Sequence, residues 1–590
     1  MKLTIKTLKT LANYRISNVF VGIICTIVIS IPVAVKARTI NVSTIADLKT
    51  AINNSVADDI ISLADGTYLN TTLTISKNKI TVKALNPGGV FLNGSNAINI
   101  SGDNVIFSGF QFTSGFSFGS LNKVVINVTG DRVVLTQLNF SGYNASKYIN
   151  LQGQYDEISY CNFEKKPETS INNSEKGNMI HIAERSNYTP NYAKISYCSF
   201  QNMPGSGGDY GNECIRITNH EIPEPGSYKS KTIVEYCYFT NTGLGDSEAI
   251  SVKSDNNILR YNTMVDNQTA NFVFRYGDDN VAYGNFFINS GGIRIKEANN
   301  IHCYNNYFEN SGNGSVSAPI IFAYDNTSVV SHLNFLNIVN NTFVGGSEIE
   351  LNNFSPTNNG GVPITTFTNN TFANNIFKYA AGKIFSGSKL GISWASNIYQ
   401  GTLGISIPSG MANTDPLLTL NSEDYFGIPS NSPAINASST SYPTILDIAD
   451  IDDDPNLFFD ISIQNRVGIK DIGCDEYSTG TISNRPLTLA DVGPSYLVAL
   501  ANEKFDLETK ISLYPNPAKN NFNVQFPNNY MEDSEISIVN INGKVAKKQT
   551  VTQNELSKSN NIEINGLNSG IYFVKIQSVK FSKTIKLIVQ

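Results

Sequence analysis

The chain has 590 residues, with 43 Lys and Arg against 49 Asp and Glu and a net charge of −6. That balance excludes a generally basic, nucleic-acid-binding molecule, so any anionic partner has to meet a local basic patch. The length exceeds one ordinary compact domain, but an elongated repeat architecture can use most of it. Alternating β-branched and aromatic residues with frequent Asn and Gly turns predict an all-β protein.

At the N-terminus, Lys2, Lys6, Lys9 and Arg15 precede the apolar run VFVGIICTIVISIPVAV, and VKA ends at Ala37. This order predicts a signal peptide over residues 1–37; a retained membrane anchor is the alternative. Cys25 has no small residues just before it, which argues against a lipid-modified cysteine. Its removal leaves six of the seven cysteines, and in a secreted chain these invite a disulfide reading. No other segment is apolar and long enough to span a membrane. Next, TIADLKTAIN offers Thr44 as an N-cap, Asp47 three residues on, and Ile45, Leu48 and Ile52 at helical spacing. A short helix there would cover the first open strand edge.

The middle of the chain repeats. ISYCNF begins at Ile158, ISYCSF at Ile195 and VEYCYF at Val234. Looser copies are LRYNTM from Leu259, VAYGNF from Val281, CYNNYF from Cys303, IVNNTF from Ile338 and FANNIF from Phe372. The fourth position runs Cys161, Cys198, Cys237, Asn262, Gly284, Asn306, Asn341 and Asn375. Intervals near 22 residues suit one turn of a parallel β-helix, and the longer ones suit a turn with an insertion. Successive turns stack about 4.8 Å apart, so equivalent residues form ladders. The three repeat cysteines then read as an internal ladder, with a bridge between turns as the lesser reading.

A second strand recurs in the central turns. In CIRI, Ile215 and Ile217 face one way and Arg216 the other. In ISVK, Ile250 and Val252 face inward, with Ser251 and Lys253 outward. FVFR sends Phe272 and Phe274 inward and Arg275 outward; GIRI does the same with Ile293, Ile295 and Arg294. Arg216, Lys253, Arg275 and Arg294 are therefore expected in one outward column, with His181 of IHI one turn earlier. Like charges so close are costly without a counter-charge, and such clusters mark sites for anions; the plain alternative is a solvated face. An extended acidic polysaccharide suits this secreted chain better than nucleic acid. Asn212, Glu213, Asp246 and Glu248 stand at the edges of two successive turns. Such oxygen ligands suit Ca²⁺, or the acids simply neutralise the bases.

These residues resemble polysaccharide lyase family 6, the alginate lyase and chondroitinase B group. The motifs are NECIRI, GDSEAISVKS, FVFRYG, GNFF and SGGIRI. Nearer the N-terminus LKTAI, GTYLNTTLTI and VKALNPGGVFLNG are similar to the family's opening turns, and SPAINA and DIGCDEY to its close. The likeness covers roughly residues 38–485. It implies a right-handed parallel β-helix that cleaves uronic-acid polymers by β-elimination. By resemblance the lysine base falls on Lys253, the catalytic arginine on Arg275 and a substrate-binding arginine on Arg294. The calcium acids fall on Asp246 and Glu248 and the metal-binding Asn on Asn212, while Glu213 and Arg216 belong to the same motif. Two departures stand out. Tyr276 takes the place of the family's usual His, and Asp246 that of a usual Glu.

After about Arg485 the pattern changes to a linker over 486–508. ISLYPNPAKNNFNVQF, EISIVNINGKVAKKQTV, IEINGLNSGIYFVKIQS and FSKTIKLIVQ then predict a small β-sandwich over 509–590. It resembles the C-terminal sorting domain of type IX secretion, which implies passage through the outer-membrane secretion machinery and a secreted or cell-surface location. A carbohydrate-binding module is the alternative; the lone Trp lies elsewhere, at Trp394. The acidic run at 447–456 is either a structural calcium loop or a solvated one.

The functional expectation is a monomeric, Ca²⁺-dependent lyase of an acidic polysaccharide, alginate foremost, that binds no nucleic acid. Lys253 and Arg275 would do the chemistry, and Arg216, Tyr276, Arg294 and His181 would bind substrate. The alternatives are a chondroitin or dermatan sulfate lyase and a non-catalytic adhesin for acidic glycans. Insertions such as 164–192 wall the groove and bear on endo or exo action.

Overall fold

The structure is a computed structural model. It describes residues 37–115, 124–167, 177–203, 213–218, 228–243, 248–267, 269–312, 318–323, 333–352, 367–497, 512–526, 534–540, 544–551, 560–577 and 582–590. Residues 1–36 of the expected signal peptide, and Asn212 and Asp246 of the expected site, lie outside them. No helix among the described residues is long and apolar enough to cross a membrane.

The chain winds as a right-handed parallel β-helix. Among the described residues its three parallel sheets hold 14, 10 and 14 strands. One turn is a strand in each: Val134–Thr136, then Asn139–Ser141, then Lys147–Leu151. The helix Ile45–Asn53 caps the first turn as its sequence predicts. The backbone N–H of Asp47 donates to Thr44 Oγ1 at 3.0 Å, and Leu48, Ala51 and Ile52 join the core beside Ile61 and Leu63.

Identical residues stack because each turn repeats the last. Inside, Phe287, Phe308, Phe343 and Phe377 stack ring on ring at 4.7–4.8 Å, a parallel packing that suits the strand spacing. At one corner Cys161, Cys198 and Cys237 are free and buried, and their Sγ atoms face backbone carbonyls. The disulfide reading does not hold for them. The ladder continues as Asn262, Asn285, Asn306, Asn341, Asn375 and Asn397, each Nδ2 donating to the next Oδ1 at 2.9–3.1 Å. The fourth repeat position after Asn262 is therefore Asn285, not Gly284. Gly284 is level with Tyr261, one residue earlier, where every turn needs a left-handed backbone; Tyr160, Tyr197, Tyr236 and Tyr261 all take φ of 50–55° there.

Beyond the last turns the chain comes back along the solenoid. Asn340 Nδ2 donates to Asp471 O, Asn484 Nδ2 to Gly284 O, Leu487 N to Thr263 Oγ1, Gly493 N to Tyr197 O and Ser495 N to Gln137 Oε1. Residues 486–497, at the start of the expected linker, are thus laid on the β-helix. The acidic run over 447–456 meets the chain's own donors. Asp450 pairs with Lys231 at 3.1 Å, and Asp454 accepts from the N–H groups of Phe458 and Phe459. The C-terminal region has antiparallel sheets of three and four strands around its own core of Phe522, Val524, Ile536, Ile538, Val574, Ile576 and Leu587.

The Asn ladder should carry measurable stability. Asn306→Ala removes the acceptor of Asn285 N–H and the donor to Ala282 O. Leaving both buried groups unpaired should cost about 3 kcal/mol, seen as an earlier urea midpoint of the β-helix.

Candidate active site

The site is carried by the ten-stranded sheet, on the strands Asn178–Ile182, Glu213–Ile217, Glu248–Val252, Asn271–Arg275 and Ile293–Lys296. Ile215, Ile217, Ile250, Val252, Phe272, Phe274, Ile293 and Ile295 are fully buried in the core. Alternation therefore turns the bases to the other face, as the sequence predicts.

Register corrects the single column. Arg216 is level with His181 on one side and with Ser251, Val273 and Arg294 on the other. Lys253 follows Val252, which pairs with Phe274, and so lies level with Arg275, which pairs with Lys296. The bases form two adjacent rows on one face: Arg216 and Arg294 in one, Lys253, Arg275 and Lys296 in the other. Lys296 was not singled out from the sequence, although GIRIK contains it two residues after Arg294.

The acids reach these rows for a structural reason. Between Glu248 and Ile250 the strand carries an irregularity of the β-bulge kind, which breaks strict alternation and re-aims a side chain. Glu248 Oε1 lies 3.2 Å from Arg275 Nη1, and its Oε2 accepts from Ser251 Oγ at 2.5 Å. Glu213 Oε2 accepts from Asn178 Nδ2 at 2.6 Å and lies 3.6 Å from Arg216 Nη1. Ser251 and Asn178 thus position the two carboxylates, and neither was expected. His181 Nδ1 lies 2.8 Å from Asn150 Oδ1. Arg275 sits 5.1 Å from the centre of the Tyr276 ring, and its Nη2 lies 3.4 Å from the hydroxyl oxygen. Tyr276 is held with φ of 65°, a costly conformation for a bulky residue.

Lys253 lies buried among these groups. Its side chain is 4% exposed, and Thr218 Oγ1 donates to its carbonyl at 2.7 Å. Burial lowers its pKa to about 8, helped by the charges of Arg216 and Arg275 and opposed by Glu213 and Glu248. A lysine so placed is neutral in part of the population near neutral pH and can take a proton.

Oxygen donors suit a hard cation such as Ca²⁺. Of the expected donors the structure describes Glu213 and Glu248. Among the described residues there is no group of three or more His, Cys, Asp or Glu able to hold a metal. Glu248 fits the chemistry as a buried carboxylate at the edge of the basic rows. Glu213, beside Asn178 and Arg216, is a buried carboxylate of the same kind, as engaged with its neighbours as Glu248 is with Ser251 and Arg275.

A family model described as Chondroitinase B matches residues 42–348. A second, described as Secretion system C-terminal sorting domain, matches residues 512–590. Among solved structures the chain is similar to the polysaccharide lyase family 6 alginate lyase AlyGC, at 22% identity and a TM-score of 0.57, covering 67% of this chain and 55% of that one. It is also similar to the alginate lyase AlyF-OU02, at 18% identity and a TM-score of 0.50, covering 70% and 94%. A family 6 polysaccharide lyase from Pseudopedobacter saltans aligns at 22% identity and a TM-score of 0.49, covering 62% and 92%. The chain spans little more than half of AlyGC's length, and at these identities the likeness is one of fold. No curated protein matches it by sequence. The sorting domain directs the protein to the cell surface or outside the cell. With the first model covering more than half of its residues, the chain belongs to the chondroitinase B family.

Proposed function

We propose that the protein is a lyase that cleaves a polyuronate, alginate foremost, by β-elimination. The observation that supports this reading is Lys253: a buried lysine, its pKa lowered to about 8, set between Arg216 and Arg275 on a basic strip. A cationic strip draws in the anionic polymer, and the same arginines that bind its carboxylates favour the neutral amine.

In the reaction, Lys253 Nζ takes the proton from C5 of the uronate. The electron pair left behind forms the C4–C5 double bond, and the C4–oxygen bond breaks. Arg216 and Arg275 meet the charge that builds on the substrate carboxylate. The leaving oxygen needs a proton, and a guanidinium with a pKa above about 12 is a poor donor. The Tyr276 hydroxyl, beside Arg275, is the donor we assign. Asn212, Asp246 and Glu248 are the residues that would hold Ca²⁺, which when bound supplies positive charge at the carboxylate. Arg294 and Lys296 extend the basic strip by one turn toward the C-terminal end. The name of the matched family favours chondroitin or dermatan sulfate as a second substrate reading.

Purified protein incubated with alginate should release an unsaturated uronide that absorbs in the ultraviolet. Lys253→Ala should lower kcat by about a thousandfold, and undiminished activity would overturn the base. Because the base works unprotonated, kcat should rise as pH climbs through about 8. Arg216→Met removes a charge that lowers the lysine pKa, so the midpoint of that rise should move to higher pH. Exhaustive chelation should abolish turnover, and added Ca²⁺ should restore it. A panel of alginate, chondroitin sulfate and dermatan sulfate, read by product formation, separates the substrates.

A further inference from the structure

The sheet face that carries Lys253 continues toward the N-terminus with different chemistry. Backbone N–H groups of Lys253, Thr218, Ala183 and Gln152 donate in turn to Ile217, Ile182, Leu151 and Val128 at 2.8–2.9 Å. Gln152 is therefore level with Lys253 three turns away, about 14 Å along the axis. In the neighbouring row the residues level with Arg216 are His181, Asn150 and Asn127, with Asn150 Nδ2 donating to Asn127 Oδ1 at 2.9 Å. Where the central turns present bases, these present amides. Lys147, at the start of its strand, has its Nζ 3.4 Å from His181 Nδ1.

Beside Gln152 lies a pocket of about 330 Å³, lined by Thr129, Gln152, Glu184, Arg185, Ser186 and Asn187. The loop that closes it begins directly after Ala183. Arg185 holds that loop in place. Its Nη1 lies 3.2 Å from Asp131 Oδ1 and 2.9 Å from Gln152 O, and its Nε donates to Thr189 Oγ1 at 3.0 Å. Asp131 thus balances the guanidinium, and Glu184 leaves the pocket with a negative excess. Tyr188, 68% exposed, stands in the same loop, and its N–H donates to Arg185 O at 2.9 Å.

Amides and hydroxyls pair well with sugar hydroxyls, and an exposed tyrosine offers a ring face to a sugar. A second anionic group driven into this pocket meets Glu184, while Arg185, the base among its described lining residues, is already paired with Asp131. We propose that the pocket is a distal sugar subsite that binds the hydroxyl edge of an unsulfated uronate residue, turns its carboxylate to solvent, and selects against sulfated chains through Glu184. The proposal rests on the lyase reading for its substrate class. It separates polymers by their charge away from the bond that is cut.

The test is equilibrium binding by calorimetry to Lys253→Ala protein, which holds the chain without turning it over. Ligands are alginate trisaccharides and octasaccharides, chondroitin sulfate, and chemically desulfated chondroitin. Adding Gln152→Ala or Tyr188→Ala, both at exposed positions, should weaken octasaccharide binding about tenfold and leave the trisaccharide unchanged. Adding Glu184→Gln should tighten chondroitin sulfate binding several-fold while the desulfated chain and alginate stay as they were. Equal loss for short and long oligomers, or no effect of Glu184→Gln on sulfate discrimination, overturns the subsite. The lyase reading fails separately, if wild-type protein forms no unsaturated product from any of these polymers.

Discussion

Everything in this molecule depends on the parallel hydrogen-bond ladder from one turn to the next. Each turn lies about 4.8 Å beyond the last, so whatever one turn places at a corner or on a face, the next places beside it. The Asn ladder from Asn262 to Asn397 fixes that register at one corner, because each amide oxygen accepts both the side-chain and the backbone N–H of the preceding turn. Buried amides so fully paired stabilise one register against all others, since a slip leaves them unsatisfied. The two rows of bases are a product of that register. In one of them Lys253, Arg275 and Lys296 are brought level on successive turns.

The site is accordingly a balance of enforced proximities. Burying Lys253 between two arginines is unfavourable for its charged form. Glu213 and Glu248 hold those arginines in place and limit how far the lysine pKa falls. Asn178 and Ser251 in turn hold the carboxylates. The arrangement is a network whose members sit on four different turns, and its geometry comes from strands and not from loops.

Much of this was legible in the sequence, because repeats announce themselves as apolar pairs at fixed spacing. The fold, the capped first helix, the cysteine ladder and the shared face of the bases all follow from such pairs. What misleads is the base, because it can stand either between the apolar pair or after it. Aligned by their bases, CIRI, ISVK, FVFR and GIRI give one column. Matched by Ile215–Ile217, Ile250–Val252, Phe272–Phe274 and Ile293–Ile295, they show Arg216 and Arg294 between the apolar pair and Lys253 and Arg275 after it. Asn285 is told from Gly284 in the same way, by the apolar Phe287 that pairs with Met264. The positioning roles of Ser251 and Asn178 were not legible, since they depend on which carboxylate each meets across a turn. Nor was the pocket beside Gln152, which a loop closes over residues far from it in the chain.

The return of residues 471–495 along the solenoid has a further meaning. Its contacts run from Asn340 back to Gln137, in the reverse of chain order. A simple solenoid can complete itself turn by turn as the chain emerges, since each turn needs only its predecessor. Here some of the last residues of the β-helix region are stitched to some of its earliest turns, which raises the mean sequence distance between partners and slows completion. The seam closes only when nearly the whole chain is present. A chain cut short before residue 471 would carry finished turns with an unsealed flank.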